Sequence, residues 1–407
     1  MMNKPAIVTI AYNRPEALKR LLTSIEAAVY PEGVHPDLVI SIDKSDSDEV
    51  KNAARKFEYS HGNKVIIERE ERMGLRAHVL ACGDLVNEYG SIIVLEDDLY
   101  VSPAFYSYAV AALDFTSGDE RIGAVSLYNH LFNVHARVGF TAIDDGFDNW
   151  YLQMASSWGQ AYTKEQWKGF RNWYEMNKER DLTDPFVPAN VSGWSDKSWL
   201  KYYIVYLIES GKYCIYPRIS LTTNFGEAGT HAKSANTEAQ VPIQNPMIRS
   251  DYAFSTLDES HAVYDSFFEP LGVIIDEKVS IGVYGSGTDN KAENAVIVDL
   301  YGVKPVQEMI AGYVSKKEGD NYRFVISEKR LPYKVLKGYG RQMRPIDANI
   351  VYEVDGNDFF LYDTKIVAPL PDKNHSALKF LYEYRGLSVA RMIEIVKYRI
   401  MEKLGRI

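Results

Sequence analysis

Three consecutive carboxylates, Glu96, Asp97 and Asp98, follow the apolar run at residues 91–95 in the stretch SIIVLEDDLYVSP. Buried charges are costly and adjacent like charges repel one another, so a positive group belongs beside this triplet. Hard cations such as Mg2+ or Mn2+ prefer oxygen ligands, and one or two protein carboxylates typically hold an ion that also contacts substrate phosphates. A nucleoside-diphosphate ligand with its metal therefore fits the triplet better than a cage made wholly of protein. Carboxylates at a helix N-terminus also compensate the helix dipole, a reading that covers the helix after them but not the buried strand before them.

Two further clusters carry chemistry. In SGWSDKSW, residues 192–199, Asp196 sits between Trp194 and Trp199. Partly apolar surroundings raise a carboxylate's pKa and suit it to accept a proton, whereas the same residue is equally well spaced to cap the helix that follows; both readings stand. In PRISLTTNFGEAGTH, residues 217–231, a strand-like run enters a loop with Gly226, Gly229 and His231. Such a loop has the freedom to close over a phosphate, although a histidine in a turn is more commonly structural. The stretch 140–200 is dense in Trp and Tyr. About half of these rings are expected in the core, and the others, Trp158 and Trp194 among them, to offer faces to sugars.

These side chains need a scaffold. Residues 6–11 form an apolar run, followed by Asn13, Arg14 and Pro15 and then by Leu18, Leu21, Leu22 and Ile25 at helical spacing. The unit recurs, with strands expected at 37–42, 64–68, 91–95 and 122–126 and helices at 46–57, 74–87 and from past Pro103 to about 115. Strands apolar on both faces and alternating with helices predict an α/β fold, a mostly parallel sheet covered on both sides. Ligands of such sheets bind beyond the carboxyl ends of the strands, which is where the acidic triplet emerges.

At 407 residues the chain is too long for one ordinary core. An α/β unit is expected over 1–255, its halves meeting near residue 130, with a β-rich accessory unit over 256–385 that contains NAVIVDLYG and YRFVISEK. Residues 386–407 read as an amphipathic helix with a basic face, suited to an anionic membrane surface or to docking on protein. The net charge of −9 disfavours general nucleic-acid binding. Cys82 and Cys214 lack metal-site spacing and read as reduced packing residues. Without a signal-peptide core or a long apolar run, a cytoplasmic location is the simplest expectation.

YNRP after the first strand, SID after the second, LRAH, VLEDDLYVSPAFYSY, GWSDKSW and YPRISLTTNFGEAGTH occur in an order that resembles glycosyltransferases of the GT-A fold. The closest likeness is to the N-acetylglucosaminyltransferase I family, inverting enzymes that use UDP-N-acetylglucosamine, over about residues 5–235. The resemblance implies that Asp98 binds Mn2+ (or Mg2+), that Glu96 and Asp97 contact or orient the donor's ribose and sugar, and that Arg14 touches the donor. It implies further that Asp43 reads uracil, that His78 matches the family's donor-side histidine, and that Asp196 is the catalytic base, with Ser195 in place of a first Asp. The motif carries an extra residue before Trp199, residues 128–165 match poorly, and the region after 260 has no counterpart.

The function so implied is metal-dependent transfer of a sugar, N-acetylglucosamine favoured, from a UDP-sugar to a carbohydrate or glycolipid acceptor, as in surface polysaccharide synthesis. Trp158 and Trp194 are the acceptor-side candidates, and Gly229 and His231 are those of the donor loop. A sugar-nucleotide nucleotidyltransferase shares the architecture but calls for a Gly-rich loop after the first strand, where AYNRPEA has no glycine. A carbohydrate-binding protein without catalysis is the other alternative.

Overall fold

The computed structural model describes residues 3–226, 237–245, 249, 251–271, 274–276, 279–280, 296–310 and 323–367, with five helical positions between 390 and 401. The chain opens with β1 (Ala6–Ala11), α1 (Pro15–Glu26), β2 (Leu38–Ile42), α2 (Glu49–Lys56), β3 (Lys64–Glu68), α3 (Leu75–Gly83), α4 (Val86–Tyr89) and β4 (Ser91–Glu96). It continues through β5 (Leu99–Val101), α5 (Phe105–Phe115), β6 (Ile122–Ser126), β7 (Phe132–Asn133), β8 (Val138–Gly139), β9 (Asn149–Leu152) and β10 (Gln160–Thr163). Then come α6 (Lys164–Asn177), α7 (Ala189–Ser192), α8 (Trp199–Glu209), β11 (Tyr213–Pro217), β12 (Thr222–Asn224) and β13 (Val263–Tyr264).

The expected mostly parallel sheet is present, nine strands in the order β13-β9-β11-β6-β10-β4-β1-β2-β3. β1 is parallel to β2 and β4, and β2 to β3. β10 is antiparallel to both β4 and β6, and β11 is parallel to β6. The carboxyl ends of β1, β2, β4, β6 and β11 consequently share one edge.

Every residue of β1 and β2 is buried because helices cover both faces. One face carries the apolar stripes of α1 and α5, with Leu18, Leu21, Phe105 and Leu113. The other carries α3, α6 and α8, with Val79, Trp167, Phe170 and Tyr203. Helix 74–87 of the sequence reading is in fact two helices. Where they divide, Gly83 meets Trp167, and an added Cβ would stand 2.0 Å from that ring.

Trp150, Trp167 and Trp199 are buried, as are Tyr151, Tyr162 and Tyr174, while Trp158, Trp173 and Trp194 are partly exposed, so the core takes six of these nine rings rather than about half. Cys82 and Cys214 are free and buried.

The first sheet holds the chain past residue 255, since β13 pairs with β9. Beyond it lie the two-stranded β14 (Ile274–Asp276) and β15 (Val279–Ser280). A second, four-stranded sheet follows, made of β16 (Val296–Asp299), β17 (Phe324–Ser327), β18 (Tyr333–Tyr339) and β19 (Phe359–Val367), in the order β16-β17-β19-β18. Buried polar contacts fasten it to the first unit: Lys304 pairs with Asp265, Tyr301 N–H donates to Glu269 at 2.9 Å and Tyr264 Oη donates to Asp347 at 2.6 Å.

Most of the amphipathic stretch 386–407 lies outside the described residues; Ala390, Ile393, Lys397, Ile400 and Met401 are helical and exposed. Among the described residues no helix is long and apolar enough to cross a membrane.

Candidate active site

β4 carries the acidic triplet to the shared edge: Glu96 ends the strand in register with Ile10, and Asp97 and Asp98 form the turn into β5. β5 pairs with β12, and Phe225 N–H donates to the Asp98 carbonyl at 3.1 Å. The loop that includes Gly229 and His231 therefore starts beside Asp98, although both residues lie outside the described ones.

Arg14, set just after β1 where Pro15 starts α1, reaches across to the triplet. Its guanidinium pairs with Asp97 and, through Nη1 at 3.0 Å, with Asp98 Oδ2. The positive group that the sequence demands beside the acids is thus in part a residue of the chain itself. Burial works to lower the Arg14 pKa, but the two aspartates outweigh it and hold the group charged.

Burial also pushes Asp97 up to about 6, against the pull of Arg14, and pushes Glu96 up to about 8 with the help of Asp98 and Asp97. A hydrogen bond that Trp199 donates to Glu96 works against this rise. That contact ties the triplet to the start of α8, and so to the loop that bears Asp196.

Asp98 Oδ1 is buried with no hydrogen-bond partner. An unpaired buried carboxylate oxygen next to a guanidinium fits a divalent cation that takes its remaining ligands from phosphate and water. Among the described residues no group of three or more His, Cys, Asp or Glu could hold a metal, so a site built from them would have fewer than three such ligands, Asp98 being the one with a free buried oxygen.

Asp43 and His78 turn inward. Asp43 is buried and accepts from the backbone N–H groups of Lys44, Met73 and Gly74 at 2.8–2.9 Å, which fastens the β3–α3 loop to the end of β2. His78, 2% exposed, shares a 2.8 Å hydrogen bond with Ser41 Oγ, and burial lowers its pKa to about 4, so it is neutral. The structure gives both residues positioning contacts rather than an exposed face toward a ligand. Arg72, which the sequence reading passed over, lies over the Tyr12 ring at 5.0 Å on the same edge. Its signal was a basic residue in a loop at a strand's carboxyl end.

Asp196 is not in the apolar surroundings that its flanking tryptophans suggested. Its side chain is 80% exposed and pairs with Lys201 Nζ at 3.1 Å. Nor does it cap α8, because Ser198 does so, its Oγ accepting from Lys201 N–H at 3.3 Å. Lys201 also donates to the Trp194 carbonyl at 3.0 Å, which fixes the loop as a unit.

Trp194 packs on the α8 face of the sheet and Trp158 on the α1 face, 4.6 Å from Tyr128. The two rings do not make one sugar platform, because the sheet separates them.

Residues 1–136 match the model of the GNT-I family. That match covers about a third of the chain and falls within the stretch over which the ordered motifs resemble this family. No curated protein matches the chain in sequence. Among solved structures it is similar to the mannosyltransferase PcManGT from Pyrobaculum calidifontis in complex with GDP-Man and Mn2+, at 16% identity and TM-score 0.33 over 53% of this chain and 55% of that one. It is similar also to S. aureus TarS 1-349, at 10% identity and TM-score 0.35 over 53% and 59% of the two chains. GalNAc-T7 with UDP, GalNAc and Mn2+ is a third, at 13% identity and TM-score 0.36 over 54% and 43%. The chain spans about half the length of these structures.

Proposed function

We propose that the chain is a metal-dependent, inverting glycosyltransferase that moves a sugar, N-acetylglucosamine in the favoured case, from a UDP-sugar to a hydroxyl of a carbohydrate or glycolipid acceptor. The observation that carries this reading is Asp98 Oδ1, buried and unpartnered at the carboxyl edge of the sheet within a segment that matches the GNT-I family. A bound Mn2+ or Mg2+ supplies Lewis-acid stabilisation of the departing diphosphate, with Asp98 as its protein ligand. Arg14 balances Asp97 and keeps the site from repelling an anionic donor. Glu96, at the end of β4 and in contact with Trp199, is placed to hydrogen-bond a donor hydroxyl.

Asp196 accepts the acceptor's proton as its hydroxyl attacks the anomeric carbon from the face opposite UDP. The sugar passes through an oxocarbenium-like transition state, with the acceptor in the place that water takes in hydrolysis. Exposure of Asp196 suits this role, since the acceptor must reach it from solvent.

UDP release is the test, measured with a panel of UDP-sugars and Mn2+ against chelated controls. Asp196→Asn should retain UDP binding and lose transfer by about 100-fold or more. An Asp196→Asn protein with near wild-type turnover rules out the base assignment, and no UDP release from any donor rules out the reading. The basic C-terminal stretch extends the proposal to peripheral contact at the cytoplasmic face of a membrane. Co-sedimentation with anionic vesicles, compared with a chain that ends at about residue 385, checks that part.

A further inference from the structure

A separate cavity of about 400 Å³ opens where β11 ends, against Pro217, Arg218, Tyr108 and Tyr252. Its size falls within the roughly 300–1,000 Å³ of small-ligand sites. Since β11 runs parallel to β6, and β10 is antiparallel to both β6 and β4, the cavity shares its sheet edge with the acidic triplet. Three inter-strand spacings separate β4 from β11, about 14 Å.

Two of the lining residues each carry a buried polar atom that has no partner. Tyr108 is 1% exposed, stands edge-on to Tyr252 at 5.1 Å, and has a buried hydroxyl without a hydrogen-bond partner. Arg218 directs its terminal nitrogens to the carbonyls of Ala142 and Ile143 and to Asp145, and its Nε is buried without a partner. A buried polar group left unpaired is costly, and both residues line this cavity, so a ligand rich in hydrogen-bonding groups would suit it.

The remaining chemistry narrows that ligand. Asp148 is gripped by Arg249 at 2.6 and 2.9 Å, and Asp144 is exposed with one oxygen accepting from Gly146 N–H at 3.0 Å. Arg218 and Arg249 are answered by Asp145 and Asp148, and Asp144 adds a further negative charge, so nothing here favours a phosphate. Aromatic faces beside carboxylate and guanidinium groups suit the mixed apolar and hydroxylated surface of a sugar ring.

We propose that this cavity is a subsite for a neutral, hydroxyl-rich sugar ring, the remoter end of the acceptor. Its assignment to the acceptor rests on the proposed function; its capacity to bind a sugar does not. Tyr108→Phe is the discriminating variant, because it removes only an unpaired buried hydroxyl and should leave the melting temperature unchanged or raised.

Saturation-transfer NMR on the full chain with glucose, galactose, mannose and N-acetylglucosamine, one at a time, should detect at least one of them. Affinity for that sugar should fall about tenfold in Tyr108→Phe, the loss of one good hydrogen bond. Arg249→Lys, which gives up the paired grip on Asp148, should weaken the same sugar. Absence of binding by all four sugars, or equal binding to wild type and Tyr108→Phe, overturns the proposal. Sugar binding without UDP-sugar turnover upholds the subsite while it removes the glycosyltransferase reading.

Discussion

Arg14 Nη1 lies 3.0 Å from Asp98 Oδ2, and the same guanidinium also grips Asp97, so a residue from the end of β1 neutralises acids delivered by β4. The pairing leaves Asp98 Oδ1 buried and unpartnered. One oxygen of this carboxylate is committed to the protein and the other is available, an arrangement suited to a metal held chiefly by its substrate.

Removing Arg14 should therefore destabilise the protein even without ligand. Arg14 is 28% exposed and Asp97 only 5%, so Arg14→Ala should cost about 1–3 kcal/mol, less than a fully buried pair would lose. Thermal melts in chelator read the loss directly. Arg14→Lys should recover only part of it, because a single ammonium cannot reproduce the forked contact.

Asp98→Asn keeps the size of the side chain and removes its charge. Transfer should fall by about 100-fold or more, and Mn2+-dependent UDP binding, read by calorimetry, should weaken in parallel. UDP binding measured in chelator should change little. A variant that binds UDP with undiminished Mn2+ dependence would place the metal elsewhere.

The two residues flanking Lys197 should separate stability from activity. Ser198→Ala removes the cap of α8 and should cost about 1 kcal/mol in denaturant unfolding. Asp196→Asn, at an exposed site, should leave unfolding within about 0.5 kcal/mol of wild type and yet abolish transfer.

Asp347 should make the seat of the second sheet sensitive to pH. Burial raises its pKa from 3.8 to about 6, while Tyr264 donates to one oxygen and the other has no partner. The folded state binds more protons than the unfolded state between these values, so the stabilisation is full below 3.8 and is lost as pH rises through about 6. The change is on the order of 2–3 kcal/mol. Melts of wild type against Asp347→Asn across this window should show the variant's dependence to be flatter and its relative stability greater at neutral pH.

Much of the architecture was legible because it follows from local periodicity. The apolar runs of β1, β2 and β4 and the stripe of α1 are set by spacing along the chain, so the parallel sheet, its carboxyl edge and the place of Glu96, Asp97 and Asp98 follow from residue order. The family likeness was read from six ordered motifs over about residues 5–235, and the family model matches the part of that stretch up to residue 136. Spacing misled in two places, once through a neighbouring cap and once through a distant ring. Ser198 rather than Asp196 caps α8, and Gly74 to Asn87 breaks into two helices where Gly83 yields to Trp167.

What sequence by itself determined was which side chains could do chemistry and which strand ends would present them, since both depend on neighbours a few residues apart. Only the tertiary structure decided how they are used. Arg14 meets acids more than 80 positions away. His78 and Asp43 are turned into the frame, and Trp158 and Trp194 lie on opposite faces. Burial and charge pairing depend on what the fold brings alongside each group, which no local pattern encodes.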